Sequence, residues 1–159
     1  MKINQSTPHF DNMSSARIAI IMSKYNDSLG NQLRENVEKT LIKHEVPAKN
    51  IQTFLVPGAL EIPFVAKKLI AQKNTFDAII TLGLVIKGDT YHFEVVCNES
   101  YRALMDLNLQ SPIPIIYGIL TVNTIEQAQI RVDSQGLNKG EEFALAALEM
   151  ITINKKIKK

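Results

Sequence analysis

Residues 81–99 read TLGLVIKGDTYHFEVVCNE. The opening residues close a run, 77–86, that is apolar almost throughout, as expected of a strand covered on both faces within a parallel sheet. Lys87-Gly88-Asp89-Thr90 supplies a turn, and His92 stands at the start of a helix whose apolar stripe is Val96, Ala103, Leu104 and Leu107. Strand, turn and helix in this order set a titratable imidazole beside free backbone N–H groups at the mouth of a sheet. Ligands of open α/β proteins bind at that edge.

Outward from this unit the pattern repeats. Residues 17–23 (RIAIIMS) form a strand, and Leu29, Leu33, Val37 and Leu41 then recur at helical spacing until Val46-Pro47. Residues 51–56 are a second strand closed by Pro57-Gly58, followed by a helix over 61–72 that tolerates Pro63 in its first turn. Downstream, residues 113–121 form a fourth strand. Thr124 and Gln127 read as a capping box for a short helix reaching Arg131. The loop 132–138 precedes a last helix lined by Phe143, Ala144, Ala147, Leu148 and Ile151. Alternation of this kind predicts a parallel sheet with helices on both faces. Residues 1–16 are a polar arm without periodicity, expected to be poorly ordered alone. Residues 17–159 form the single domain.

Composition narrows the function. The 159 residues carry a net charge of +2, so nothing in the balance calls for nucleic acid. Lys155, Lys156, Lys158 and Lys159 read as cations at a helix C-terminus rather than a binding patch. One cysteine, Cys97, excludes an intrachain disulfide, and His9, His44 and His92 are too scattered for a metal motif. Apolar runs are too short to cross a bilayer, and residues 1–16 lack an apolar signal core. A soluble cytoplasmic protein is expected.

The strand ends hold the chemistry. Four of the seven glycines, Gly58, Gly83, Gly88 and Gly118, fall in or after the C-terminal halves of strands, which leans toward a ligand site. Tyr25 offers a stacking surface and reads equally well as a loop tyrosine. Glu61 can accept from hydroxyls, although a helix-start glutamate is the commoner case. Thr90 and the N–H groups that follow it form a phosphate cradle. Asp89 opposes an anion there if its carboxylate points inward and fits if only its backbone N–H faces the ligand, and His92 can move protons near neutral pH. Tyr117 reads as a core tyrosine, and Arg131 and Lys139 as helix-end cations, unless a ligand recruits them.

The segments RIAIIMSKYND, VPGALEIPFVAKK, FDAIITLGLVIKGDTYHFEVVCNE, PIIYGILT, IEQAQIR and NKGEEFALAALEM together resemble the lumazine synthase family, nearly throughout after residue 16. The resemblance implies a flavodoxin-like three-layer α/β/α sandwich on a four-stranded parallel sheet, with the N-terminal arm often adding a strand to a neighbouring subunit. It implies a homopentamer, or an icosahedral assembly of pentamers, with active sites between subunits. It implies riboflavin biosynthesis: 5-amino-6-(D-ribitylamino)uracil condenses with 3,4-dihydroxy-2-butanone 4-phosphate to give 6,7-dimethyl-8-ribityllumazine, phosphate and water. No metal or organic cofactor takes part, and the product passes to riboflavin synthase.

By matching position, Tyr25 stacks on the pyrimidine, while Ala59, Leu60 and Glu61 line the ribityl chain. Leu84, Val85 and Ile86 run along the pyrimidine edge. Asp89, Thr90 and Arg131 bind the phosphate, and His92 transfers protons. Tyr117 and Lys139 complete the pyrimidine site. Members often carry Phe or Trp at the places of Tyr25 and Leu60, Phe at Tyr117, Arg at Lys87, and AGTKAG where residues 132–137 read VDSQGL. Three rivals stand beside this reading: a specialised or weakly active paralogue that binds lumazine or flavin, a flavodoxin-like binding module without catalysis, and a pure scaffold or shell protein.

Overall fold

In the computed structural model, which describes residues 7–73 and 75–158, four strands pair in the order β2-β1-β3-β4. They are β1 (Ile18–Ser23), β2 (Ile51–Val56), β3 (Ala78–Ile86) and β4 (Ile115–Val122), and every pairing is parallel. Helices α2 (Ile62–Ile70) and α3 (His92–Gln110) cover one face. Helices α1 (Asp27–Lys43), α4 (Ile125–Val132) and α5 (Lys139–Ile157) cover the other. This is the expected flavodoxin-like sandwich.

The strand sequences explain the layering. All six residues of β1 are buried, and alternate side chains point to opposite faces. Ile18, Ile20 and Met22 meet Leu33, Val37, Leu41, Ala144, Leu148 and Ile151. Ala19 and Ile21 meet Ile62, Ala66, Leu69, Leu104 and Ile119 in the second core. Leu104, fully buried, anchors α3; burying such a side chain contributes about 1.5–3 kcal/mol. Val96, Ala103 and Leu107 of the expected stripe are only half-buried, because α3 is otherwise covered by little of its own chain.

Element ends moved where local chemistry intervened. The fourth strand begins at Ile115 instead of 113, because Ser111 Oγ and Ile113 form a local turn and Pro114 has no N–H for a ladder. The second helix begins at Ile62 after a 3₁₀ turn, Ala59–Glu61, and stops at Ile70. Thr124 Oγ1 accepts from the Gln127 N–H at 3.3 Å, as expected of a cap. Gln127 Oε1 reaches back one residue further than a capping box requires, to the Asn123 N–H at 2.9 Å.

Residues 7–16 pack on their own chain. Met13 and Ala16 enter the core, Phe10 lies edge-on to His44, and the Asp11 N–H donates to Thr152 Oγ1 at 3.1 Å. No strand forms among them. The expected strand lent to a neighbour falls on an arm whose residues 1–6 lie outside the described residues.

Candidate active site

The chain leaves β1 toward β2 on one side and returns through β3 toward β4 on the other. The switch point therefore lies between the C-terminal ends of β1 and β3. A cavity of about 470 Å³ opens there, within the ordinary size range of small-molecule sites. Ser23, Tyr25 and Asn26 line it from the end of β1, Gly58–Glu61 from the end of β2, and Leu84–Ile86 from β3. His92 and Val96 close it from the first turns of α3.

Each wall follows from local geometry. β1 ends at Ser23, and the Lys24 N–H donates to the Val56 carbonyl at 2.9 Å, tying the first loop to the end of β2. Asn26 then adopts φ 57°, ψ 45°, the left-handed region that asparagine tolerates better than most residues. β3 outruns β1: their pairing stops at Met22–Leu82, whereas β3 pairs with β4 as far as Ile86–Val122. Residues 83–86 thus present an edge toward the cavity that no strand covers. Gly58 sits in extended backbone, φ −147°, before the 3₁₀ turn that aims Glu61 inward.

Three polar side chains of the cavity are free for a ligand, whereas Asn26 Nδ2 donates to the Leu84 carbonyl at 2.9 Å. Among the described residues, Tyr25, Glu61 and His92 make no side-chain hydrogen bond or ion pair with another protein group, and Tyr25 is 72% exposed. α3 begins at His92 without a side-chain cap, so its first-turn N–H groups face outward at the positive end of the helix. Asp89 and Thr90 occupy the exposed turn between Ile86 and His92, beside the cavity but outside its lining. Lys87 leans on Glu94 at 3.6 Å and over the Phe93 ring at 6.0 Å. Cys97, one residue beyond Val96, has a thiol raised above its ordinary 9.0 by burial and then by the Glu94 charge.

Three of the expected site residues stand apart. Tyr117 lies under α3, stacked on Tyr101 with ring centroids 5.8 Å apart, and its hydroxyl is buried without a partner. Burial first, then the charges of Asp106 and Tyr101, raise its pKa above the ordinary 10.0. Arg131 ends α4 and donates to the Gln127 carbonyl at 2.9 Å, and Lys139 opens α5 and pairs with Glu142 at 2.7 Å. Both helices pack on the face opposite α3.

The glycine reading needs correction. A Cβ on Gly118 would stand 2.4 Å from the Thr81 carbonyl, and one on Gly83 would crowd Ser23 and Ile119. Those two serve packing. Gly58, at the lip of the cavity, and Gly88, in open space, remain available to a ligand. Sequence reasoning gave Ser23 and Asn26 no role in the site, and it assigned Val96 to the core stripe. A polar residue closing an apolar strand was the one legible hint for Ser23.

A doubly wound parallel sheet with an open, mixed-polarity pocket at its switch point defines a small-molecule site on a flavodoxin-like scaffold. The family model for 6,7-dimethyl-8-ribityllumazine synthase matches residues 15–155, and the chain belongs to that family. Lumazine synthase activity is the reaction type that this membership supports. Among the described residues, no helix is long and apolar enough to cross a membrane, and no three His, Cys, Asp or Glu side chains converge as a metal site.

Proposed function

We propose that the chain condenses 5-amino-6-(D-ribitylamino)uracil with 3,4-dihydroxy-2-butanone 4-phosphate to give 6,7-dimethyl-8-ribityllumazine. One observation carries the reading: a single cavity gathers a free aromatic ring, a strand edge that no neighbouring strand covers, a free carboxylate and an imidazole at its rim. A pyrimidine is planar and carries amide-like edges. Tyr25 would stack on its face, and the backbone groups of residues 83–86 that neither β4 nor Asn26 engages would pair with its edge. Ala59 and Leu60 would pack along the ribityl carbons while Glu61 accepts from the hydroxyls. The phosphate of the second substrate would meet Thr90 and the open N–H groups at the start of α3, with Asp89 contributing its backbone.

The chemistry then needs proximity and proton transfer. The 5-amino nitrogen attacks the ketone carbon, and water leaves to give an imine. Phosphate is eliminated, the four-carbon chain rearranges, and the ribitylamino nitrogen closes the ring with loss of a second water. Holding two reactants face to face can supply about 7–11 kcal/mol of the barrier. His92, at the rim between the pyrimidine wall and the phosphate turn, would relay protons in imine formation and elimination.

Tyr117, Arg131 and Lys139 are turned away from their own chain's cavity, which favours a site completed by a second copy within a pentamer or an assembly of pentamers. In this reading the product passes to riboflavin synthase, and the reaction proceeds in the cytoplasm. Purified protein with both substrates tests it: lumazine absorbance should grow with enzyme concentration. Tight lumazine or flavin binding without turnover would select the paralogue, and neither binding nor product would overturn the assignment.

A further inference from the structure

Asn26 is the N-cap of α1, yet its side chain makes no capping hydrogen bond to its own helix. Asparagine at that position ordinarily accepts from a first-turn N–H. Here Nδ2 instead donates 2.9 Å across the switch point to the carbonyl of Leu84. That carbonyl belongs to the part of β3 that β1 no longer reaches. On the other flank of Tyr25, the Lys24 N–H donates to the Val56 carbonyl at 2.9 Å. Tyr25 is thus strung between two anchors, one on β2 and one on β3. Its ring comes to rest over Gly58, where an added Cβ would lie 3.4 Å from it and 3.0 Å from Glu61 Oε2.

From this geometry we propose that Asn26 is a positioning residue for the pocket: its side-chain amide holds the Tyr25 ring over Gly58 and Glu61 by gripping Leu84. The inference rests on the pocket reading above and names the group that sets its aromatic wall. Because Tyr25 is largely exposed, packing alone does not hold the ring in place. The left-handed backbone alone does not call for the bond, since glycine would meet it as well. The amide is what glycine lacks.

A double-mutant cycle read by lumazine binding tests this. Fluorescence titration of the intact protein with 6,7-dimethyl-8-ribityllumazine should show Asn26→Gly binding about tenfold more weakly, near the upper worth of one hydrogen bond. Tyr25→Ala should weaken binding as well, and adding Asn26→Gly to it should cost little more, because the amide acts through the ring. Additive losses, or wild-type affinity in a folded Asn26→Gly, would overturn the proposal. Asn26→Asp keeps the shape and sets a carboxylate against the Leu84 carbonyl, so it should weaken binding at least as much; wild-type affinity there would also overturn it. A ligand-free measurement separates this inference from the pocket reading. Amide exchange of residues 24–28 should quicken in Asn26→Gly while exchange in β1 does not, and unchanged exchange at 24–28 sinks the clamp. Failure of the wild type to bind lumazine counts against the pocket reading, and the exchange result then decides the clamp alone.

Discussion

Gly58 and Glu61 compete for one space: a Cβ on Gly58 would lie 3.0 Å from Glu61 Oε2, tighter than ordinary van der Waals contact. The backbone at Gly58, φ −147° and ψ −179°, is open to any residue, so no strain accompanies a side chain there. Gly58→Ala should therefore fold with a stability loss below about 1 kcal/mol, as expected away from a special dihedral. Its turnover should fall by about tenfold or more, since misplacing a binding group by 1 Å can cost about 10²-fold. Denaturant titration beside steady-state rates checks it; parallel losses in both would remove the steric explanation.

His92 lines the cavity from an exposed helix start, and its side chain has no hydrogen-bond partner among the described residues. Nothing in the fold leans on it. His92→Ala should leave the unfolding midpoint unchanged and slow turnover by about 10²-fold, the lower end for a lost general acid–base. Lumazine affinity should hold within about threefold, since the imidazole is assigned to protons rather than to stacking. A large loss of stability would show a structural role instead.

The layering was legible because β1 and β3 are apolar runs broken only by Ser23 and Thr81, and residues 51–56 were bounded by Pro57-Gly58. Boundaries failed where a side chain acts on backbone, as Ser111 does before β4. The cavity was partly legible: Tyr25, Glu61 and His92 sit at strand ends, where the fold rule points. Asn26 was hidden because its partner, Leu84, is 58 residues away and the bond exists only once the strands are side by side. Gly118 misled for the same reason, since its neighbour across the sheet is invisible in a linear reading.

Gly118 makes that error measurable. An added Cβ would strike the Thr81 carbonyl at 2.4 Å, Leu82 Cδ2 at 2.6 Å and the Phe143 ring at 3.0 Å. One of these is backbone in the centre of the sheet and cannot move aside. Gly118→Ala should lose about 2–3 kcal/mol or more of stability, the upper range for overpacking. The thermal midpoint records the loss. A stable variant with impaired lumazine binding would restore the ligand reading of this glycine.

The Cys97 thiol is raised above 9.0, chiefly by burial and then by Glu94, so the fold favours the protonated form. A group raised in this way contributes stability that is fully present below its unfolded value. The contribution fades as pH climbs from there through the folded value. Tyr101 and Tyr117, both raised above 10.0, act in the same direction at higher pH. Stability should thus decline above about pH 9, read by denaturant titration at stepped pH. At pH 8 the native thiol should react with a disulfide reagent more slowly than in urea, because the thiolate is the nucleophile. Equal rates would contradict the shift.

The C-terminus of α1 ends in a left-handed cap built on the wrong residue. The Val46 N–H donates to the Leu41 carbonyl at 3.0 Å and the Glu45 N–H to the Ile42 carbonyl at 3.0 Å, the paired bonds of a Schellman motif. Val46 and Leu41 also meet in the core, as that motif favours. The residue at the turning point, Glu45, holds φ 73°, where a Cβ costs about 1–2 kcal/mol. Its carboxylate recovers only an exposed hydrogen bond from Asn12 at 3.2 Å. Glu45→Gly should raise the unfolding free energy by about 0.5–1 kcal/mol, the relief of the backbone less the glycine entropy of the unfolded chain. Glu45→Ala keeps the strained Cβ and loses the Asn12 bond, so it should be neutral or slightly destabilising. Denaturation of the two variants side by side decides between backbone and side chain, and stabilisation by alanine as large as by glycine would assign the effect to the carboxylate.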